Sequence, residues 1–145
     1  RLEFVNTING VKFYNDSKAT NTDSVKYALE SFNEPLRLIM GGSDKGEDFG
    51  VLIPYLEKHA AKIYLIGETR EKMINSFKDR IDFEAFDTFE TAIEKAYKDS
   101  SQNEIVLLSP ACASYDMFKN YEERGRNFKD YVALLATTAV ETQKC

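Results

Sequence analysis

The sequence predicts an α/β fold, a Rossmann-like and mostly parallel sheet flanked by helices on both faces, preceded by an N-terminal β-hairpin. Three observations support this prediction. Short apolar runs alternate with amphipathic segments at helical spacing, a pattern typical of βαβ units. An Asn-Gly pair separates the first two β-rich runs. No repeat, linker or low-complexity stretch divides the chain, so residues 1–145 are predicted to form a single domain.

The N-terminal elements follow from local patterns. The runs Leu2 to Ile8 and Val11 to Tyr14 flank Asn9-Gly10, and this pair tolerates the positive φ angles of a tight hairpin turn. A helix is predicted from Thr22, because four apolar residues then recur on one face: Val25, Ala28, Leu29 and Phe32.

The remaining elements alternate regularly between strand and helix. Strands are predicted at Leu36 to Met40, Ile63 to Ile66, Ile81 to Phe86 and Ile105 to Leu108. Helices are predicted at Val51 to Ala61, Glu68 to Phe77, Phe89 to Tyr97 and Met117 to about Ala136, the last interrupted near Gly125. The last strand is apolar throughout, which indicates burial on both faces of the sheet.

Composition excludes several classes of function. The net charge of −5 argues against a nucleic-acid-binding role, since neutralising phosphates needs clustered Lys and Arg. No stretch approaches the roughly 20 apolar residues that cross a bilayer. The two cysteines, Cys112 and Cys145, show no zinc or disulfide spacing, so a reduced cytoplasmic setting is expected. The protein is also expected to be a monomer. The chain opens abruptly on a predicted strand, which suggests a piece of a longer protein.

Three polar loops follow predicted strands and are expected to share one edge of the sheet, because ligands of parallel sheets gather at the carboxyl ends of strands. They are the first loop (Asn15 to Asn21), the second loop (Gly41 to Asp48) and the third loop (Ser109 to Tyr121).

The first loop immediately precedes a helix. Unpaired N–H groups at a helix N-terminus attract carboxylates or phosphates, and Lys18 and Thr20 would add a positive charge and a hydroxyl donor. A simpler interpretation is that Asp16, Ser17 or Asn21 caps the helix.

The second and third loops are less specific individually. Glycines and Lys45 in the second loop could receive an anion, but the P-loop and dinucleotide-binding spacings are absent from the chain. Asp44, Glu47 and Asp48 could bind a cation, although a solvated loop is the simpler interpretation. In the third loop, Cys112 lacks a convincing histidine partner, because the single histidine, His59, belongs to a distant amphipathic helix and is expected at the surface.

Taken together, the loops resemble one family. The sequences Asn-Asp-Ser-Lys-Ala-Thr-Asn at 15–21, Gly-Gly-Ser-Asp-Lys-Gly at 41–46 and Leu-Leu-Ser-Pro-Ala-Cys-Ala-Ser at 107–114 resemble the C-terminal domain of the Mur ligases that add D-glutamate. The continuation Phe118-Lys-Asn-Tyr-Glu-Glu-Arg-Gly125 and the opening Arg1-Leu-Glu also match. The resemblance covers nearly the whole chain, with the motifs in the same order and at similar spacing.

The resemblance implies a cytoplasmic, ATP-dependent ligase of peptidoglycan synthesis that joins D-glutamate to UDP-N-acetylmuramoyl-L-alanine through an acyl phosphate. ATP and Mg²⁺ would be bound mainly by a central ATPase domain, and the UDP-sugar by an N-terminal domain. Neither domain is represented in this chain, which is therefore expected to be inactive alone.

The resemblance also implies roles for individual residues. D-Glutamate would be bound by Thr20, Lys45, Ser114, Tyr115 (through its backbone) and Tyr121, which stands where a Phe is expected. Lys18 would be the catalytic residue, at the reacting end near the substrate phosphates. Arg1 and Asp16 would contact the nucleotide, and no metal ligand is expected in this chain.

Other functions are compatible with parts of the pattern. Another Mur ligase, or a folylpolyglutamate ligase, would share the fold but differ in the first loop. A non-catalytic α/β module such as a receiver domain would need an acidic pocket at the strand ends. A purely structural domain would not respond to ligands at all.

Overall fold

The computed structural model describes residues 2–144, and side chains as far as residue 139. Arg1 lies outside the described residues, so its predicted nucleotide contact has no structural counterpart here. The strands, in chain order, are β1 (Glu3–Ile8), β2 (Val11–Asn15), β3 (Leu36–Gly41), β4 (Ala60–Ile66), β5 (Phe83–Ala85) and β6 (Ile105–Leu108). The helices are α1 (Thr22–Glu30), α2 (Ile53–His59), α3 (Arg70–Phe77), α4 (Phe89–Asp99) and α5 (Tyr121–Lys144), and a 3₁₀ turn spans Phe49–Leu52.

The six strands form one sheet in the order β1-β2-β6-β3-β4-β5. Only β1 and β2 pair antiparallel; the other four pairings are parallel. The predicted hairpin is confirmed, and both of its turn residues have positive φ angles, 51° at Asn9 and 81° at Gly10. The central strand β6 joins the hairpin to the rest of the sheet, so it is buried along its whole length.

Helices cover both faces of the sheet, as predicted. Leu38, Leu65 and Leu107 point to the face covered by α1, α2 and α3. Ile39 and Val106, on the alternate positions, pack against α4 and α5. Because alternate strand residues point to opposite faces, the fully apolar runs of β3 and β6 supply both cores.

Several predicted boundaries were wrong. The helix predicted to reach Ala61 ends at His59, because Ala60 already belongs to β4. The strand predicted at Ile81 to Phe86 is confined to Phe83–Ala85. The last helix begins at Tyr121 rather than Met117, since the Asn120 side chain accepts a hydrogen bond from the Glu123 N–H at 2.8 Å and so caps the helix there.

Helix α5 is also not interrupted at Gly125, and it continues to Lys144 rather than ending near Ala136. A Cβ atom at Gly125 would lie 3.0 Å from the Asn15 side-chain nitrogen. The glycine therefore allows α5 to approach the first loop closely instead of breaking the helix. Within the described residues, no helix is long and apolar enough to span a membrane.

Candidate functional site

The three polar loops meet at one edge of the sheet, as the sequence predicted. They follow β2, β6 and β3, which are neighbours in the strand order. The third loop consequently lies between the first and the second. This arrangement follows from topology, since the carboxyl ends of adjacent parallel strands lie side by side.

Hydrogen bonds hold the first loop to the third. The Ala111 N–H donates to the Ala19 carbonyl at 2.9 Å, and the Asp16 N–H donates to the Leu108 carbonyl at 2.7 Å. The Ser109 hydroxyl donates to the Asp16 carboxylate at 3.0 Å. Asp16 and Ser109 are both buried, so these bonds form a fixed contact shielded from water.

The second loop is joined to the third through its glycines. The Ser43 N–H donates to the Ala113 carbonyl at 2.8 Å, and the Gly41 N–H donates to the Pro110 carbonyl at 2.9 Å. A Cβ atom at Gly42 would lie 2.3 Å from the Ala113 carbonyl oxygen, and Gly42 has a φ of +152°. Only glycine permits this approach between the two backbones.

Arg124, in the first turn of α5, is the central side chain of the site, and the sequence interpretation assigned it no role. It is only 1% exposed. Its Nε donates to the Ser17 hydroxyl at 2.8 Å, its Nη2 to the Ser17 carbonyl at 2.7 Å, and its Nη1 to the Cys112 carbonyl at 3.0 Å. Arg124 therefore connects the first and third loops.

A sequence signal for Arg124 exists in the helical periodicity. Among the described side chains of α5, Phe128, Val132 and Leu135 are the buried apolar ones, and Arg124 lies one turn before Phe128 on the same face. A charged residue at a buried position of an amphipathic helix is rare unless it has a specific role.

Ser114 supplies a second buried polar group. It is 2% exposed, and its hydroxyl oxygen has no hydrogen-bond partner in the described part of the chain. Its carbonyl accepts hydrogen bonds from the Met117 and Phe118 N–H groups. Buried hydroxyl groups almost always have partners, so this hydroxyl is available to a ligand or to a bound water molecule.

The other predicted site residues surround these buried groups at different depths. Lys18 and Tyr121 line the same cavity of about 270 Å³, together with Arg126 and Lys129 of α5. Asp16 lines a separate cavity of about 280 Å³ with Leu2, Ser24 and Tyr27. Thr20 is half-buried, whereas Lys45 is exposed and Tyr115 is 74% exposed. The cavity that contains Lys18 and Tyr121 is not lined by Thr20, Lys45, Ser114 or Tyr115.

The capping interpretation of the first loop is confirmed for Asn21, whose side chain accepts a hydrogen bond from the Ser24 N–H at 2.9 Å. The α1 N-terminus also receives a carboxylate from the second loop, because Glu47 accepts from the Thr22 N–H at 2.9 Å. This bond attaches the exposed part of the second loop to α1. The N-terminus of α1, which attracts carboxylates, therefore binds a carboxylate of the chain itself.

The acidic residues of the second loop each have a structural role. Asp44 accepts from the Gly46 N–H and pairs with Lys72 at 3.1 Å. Asp48 accepts from the Gly50 N–H at 3.0 Å and caps the 3₁₀ turn. Among the described residues, no group of three or more His, Cys, Asp and Glu side chains is arranged to hold a metal ion.

Cys112 does not have the properties of a nucleophile. Burial raises the pKa of the Cys112 thiol to about 11, and its sulfur lies 3.6 Å from the Thr69 hydroxyl. A reactive thiol needs a lowered pKa and access to solvent. His59, at the end of α2, is half-buried and borders a cavity at the opposite edge of the sheet with Asn33 and Pro35.

Another cavity, of about 620 Å³, lies beyond β4 and β5 and was not predicted. Its lining is mainly acidic, with Glu68, Glu71, Asp87 and Asp116 beside a single basic residue, Arg70. Asp116 connects this cavity to the site, since it accepts from the Glu68 N–H at 2.8 Å and from the Ser43 hydroxyl at 3.4 Å.

The sequence and the fold have counterparts in known proteins. Residues 1–112 match the family model described as "Mur ligase, glutamate ligase domain". Among curated proteins, the UDP-N-acetylmuramoylalanine–D-glutamate ligase of Caldicellulosiruptor bescii is 48% identical over 97% of this chain and 31% of its own length. The protein of the same name from Caldicellulosiruptor saccharolyticus is 46% identical over 91% of this chain and 30% of its own length. The chain thus spans about a third of the curated relatives it matches.

A solved structure supports the fold. A crystal structure described as a domain of a UDP-N-acetylmuramate:L-alanyl-gamma-D-glutamyl-diaminopimelate ligase from Haemophilus ducreyi 35000HP superposes with a TM-score of 0.63. The alignment covers 96% of this chain and 99% of that one at 10% sequence identity. This likeness concerns the fold alone.

Proposed function

This chain belongs to the family of Mur ligase glutamate ligase domains, and from that membership we propose that it is the amino-acid-binding, C-terminal domain of an ATP-dependent amide-bond ligase. The reaction proposed for the longer protein joins D-glutamate to UDP-N-acetylmuramoyl-L-alanine in peptidoglycan synthesis. The names of its relatives, at 46–48% identity, support this choice over other ligases of the family. The chain corresponds to only 31% of such a relative, so the proposed activity is that of a longer protein.

The observation that carries the proposal is the buried hydroxyl of Ser114, which has no partner among the described residues. Glutamate brings two carboxylates, and a carboxylate oxygen is a strong acceptor for a hydroxyl donor. We assign Ser114 to one carboxylate of D-glutamate. Thr20, Lys45, Tyr121 and the backbone of Tyr115 complete the proposed receptor around both carboxylates.

Lys18 is proposed to act at the reacting end of D-glutamate. It lies in the same cavity as Tyr121, between the first loop and α5. A positive charge there favours the neutral form of the attacking amine and stabilises the negative charge of an acyl phosphate. Asp16 borders a different cavity and is proposed, with Arg1, to contact the nucleotide.

The task of this domain is then to hold an amine against an activated carboxyl group. Orientation of two reactants can lower a barrier by roughly 7–11 kcal/mol. In the proposed reaction ATP supplies the phosphoryl group that activates the alanyl carboxylate. Mg²⁺ has no group of three ligands among the described residues, so we place ATP and Mg²⁺ mainly on the remainder of the longer protein. Movement of this domain would close the site and exclude water.

We also propose a monomer acting in the cytoplasm, where ATP is available. The structure is compatible with reducing conditions, since Cys112 is a buried free thiol.

A kinetic assay of the longer ligase tests the proposal. Formation of ADP is followed with UDP-N-acetylmuramoyl-L-alanine present and the added amino acid varied. D-Glutamate should support turnover, while L-glutamate and diaminopimelate should not. Ser114→Ala should raise the KM for D-glutamate about tenfold or more, the effect of losing a hydrogen bond to a charged group.

Lys45→Met should also raise this KM, and Lys78→Met is its matched control, because Lys78 is an exposed lysine at the end of α3. Turnover that requires a different amino acid would overturn the D-glutamate assignment. Wild-type KM values in both Ser114→Ala and Lys45→Met would show that the amino acid binds elsewhere.

A further inference from the structure

We propose that Arg124 is a positioning residue of the amino-acid site, which fixes the distance between the Lys18 end and the Ser114 end of the bound ligand. This inference rests on the proposed function, because it concerns the same site. It adds a residue that contacts neither the reacting atoms nor the proposed carboxylate positions.

The hydrogen bonds of Arg124 reach both ends of the site. Nε and Nη2 bind the hydroxyl and the carbonyl of Ser17, the residue before Lys18. Nη1 binds the carbonyl of Cys112, two residues before Ser114. A planar guanidinium donates in fixed directions, so these three bonds set the separation of the two loops.

The second loop is held against the same side chain. A Cβ atom at Gly42 would lie 3.3 Å from Arg124 Nη1 and 2.9 Å from the Cys112 Cβ. Gly42 precedes the segment that carries Lys45. Arg124 therefore binds the first and third loops and lies beside the second.

The hydrogen-bond partners of Arg124 differ from those expected of an arginine that serves only stability. All three acceptors are neutral oxygen atoms, and no carboxylate in the described chain forms an ion pair with it. Burial lowers the pKa of Arg124 to about 10, which still leaves the side chain charged at neutral pH. The Asp116 carboxylate opposes this shift through space without pairing with Arg124, so the buried charge is only partly compensated, and such a charge is costly to folding. An anionic ligand in the neighbouring site would compensate it.

Positioning and mere stabilisation predict different kinetics, and three variants of the longer ligase distinguish them. Arg124→Lys keeps the charge but removes the planar fork. Ser17→Ala removes one acceptor of Arg124, and with it the hydrogen bond that the Ser17 hydroxyl donates to the Tyr121 carbonyl at 2.7 Å, with little change in volume. Arg37→Met is the control, because Arg37 is also largely buried and paired with Glu104, at 3.1 Å, but lies near the amino end of β3.

If Arg124 positions the site, Arg124→Lys raises the KM for D-glutamate about tenfold or more and lowers kcat, because small displacements of reacting groups have large rate effects. Ser17→Ala raises the same KM about fivefold, the value of one hydrogen bond. The KM for ATP stays at its wild-type value in both. Arg37→Met lowers the thermal unfolding midpoint without changing the KM for D-glutamate.

The inference is overturned if Arg124→Lys is folded and keeps the wild-type KM and kcat. If Arg124→Lys does not fold, Ser17→Ala decides, and a wild-type KM for D-glutamate in that variant overturns the inference. These outcomes differ from failure of the proposed function itself, in which the unmodified ligase shows no turnover that depends on D-glutamate.

Discussion

The two edges of the sheet differ in how they compensate a positive charge that is removed from water: Arg37 at the amino edge is half-buried and Arg124 at the carboxyl edge is buried. Arg37, near the amino end of β3, donates to the Glu104 carboxylate at 3.1 Å and to the Tyr64 hydroxyl at 3.2 Å. Partial burial acts to lower the pKa of Arg37, but hydrogen bonds to Tyr64 and Glu104 outweigh it and the pKa is raised. Arg124, at the carboxyl edge, has only neutral acceptors, and burial lowers its pKa to about 10.

The same contrast extends to the neighbouring residues. At the amino edge, Lys62 pairs with Glu84 at 3.1 Å and with Asp99 at 3.4 Å, so positive charges there have opposite charges nearby. At the carboxyl edge lie all seven buried polar residues of the described chain: Asp16, Ser17, Thr22, Thr69, Ser109, Ser114 and Arg124. The cations of the amino edge have carboxylate partners, whereas the carboxyl edge holds a buried cation bonded only to neutral oxygen atoms and a buried hydroxyl, that of Ser114, without a partner among the described residues.

The largest expected effect comes from removing each arginine in turn. Arg124→Met should lower the free energy of unfolding of this chain by about 3 kcal/mol, because three buried acceptors lose their donor, partly offset by removal of a desolvated charge. Arg37→Met should lower it by about 1 kcal/mol, since its partly exposed partners can bind water instead. Urea unfolding at pH 7 measures both losses of unfolding free energy. Equal losses in the two variants would show that the two edges do not differ in this way.

Alkaline pH tests whether the carboxyl edge excludes water. Burial raises the pKa of the Cys112 thiol from 9.0 to about 11, so the unfolded chain loses this proton first as pH rises. The contribution of the neutral thiol is therefore complete below pH 9 and declines as pH rises towards 11. Between about pH 8 and pH 10 this contribution to the free energy of unfolding should decline by about 1.4 kcal/mol, the energy equivalent of one pKa unit.

Arg124 stays largely protonated in both states over most of that interval, so it adds little to the pH dependence. The difference between the urea midpoints at pH 8 and at pH 10 should therefore be smaller in Cys112→Ala than in the unmodified chain. If Cys112→Ala and the unmodified chain show the same difference between their midpoints at pH 8 and pH 10, the thiol is hydrated in the folded state.

The smallest expected effect concerns the second loop, whose tip is the exposed part of the carboxyl edge. Glu47→Gln removes the charge that the loop places on the N-terminus of α1 and should cost about 0.5–1 kcal/mol. Urea unfolding measures this loss, and 0.5 M NaCl should reduce it by screening. Glu57→Gln is the matched control, since Glu57 forms an exposed pair with Arg80 and its loss should leave the midpoint unchanged. A loss in Glu47→Gln no larger than that control would show that the loop is not held through α1.

Much of the fold could be predicted because local patterns and tertiary packing agree. The Asn9-Gly10 turn, the apolar β6 and the amphipathic face of α1 each follow from residues close together in sequence. The boundaries of α2 and α5 could not be predicted in the same way. Ala60 is compatible with helix or strand, and it joins β4 because β3 lies beside it. In the sequence, Gly125 is typical of a helix breaker. In the structure, the first loop lies so close to α5 that a side chain at position 125 would crowd Asn15.

The sequence by itself determined the family, the three loops and their common edge, since motif order and strand alternation are properties of the chain alone. The depth of each side chain was decided by tertiary structure. Lys45 and Tyr115 are exposed, Ser114 is buried, and Arg124 became central only when α5 packed against the first and third loops. Burial depends on contacts between residues more than 100 positions apart, such as Ser17 and Arg124, and no local pattern records such contacts.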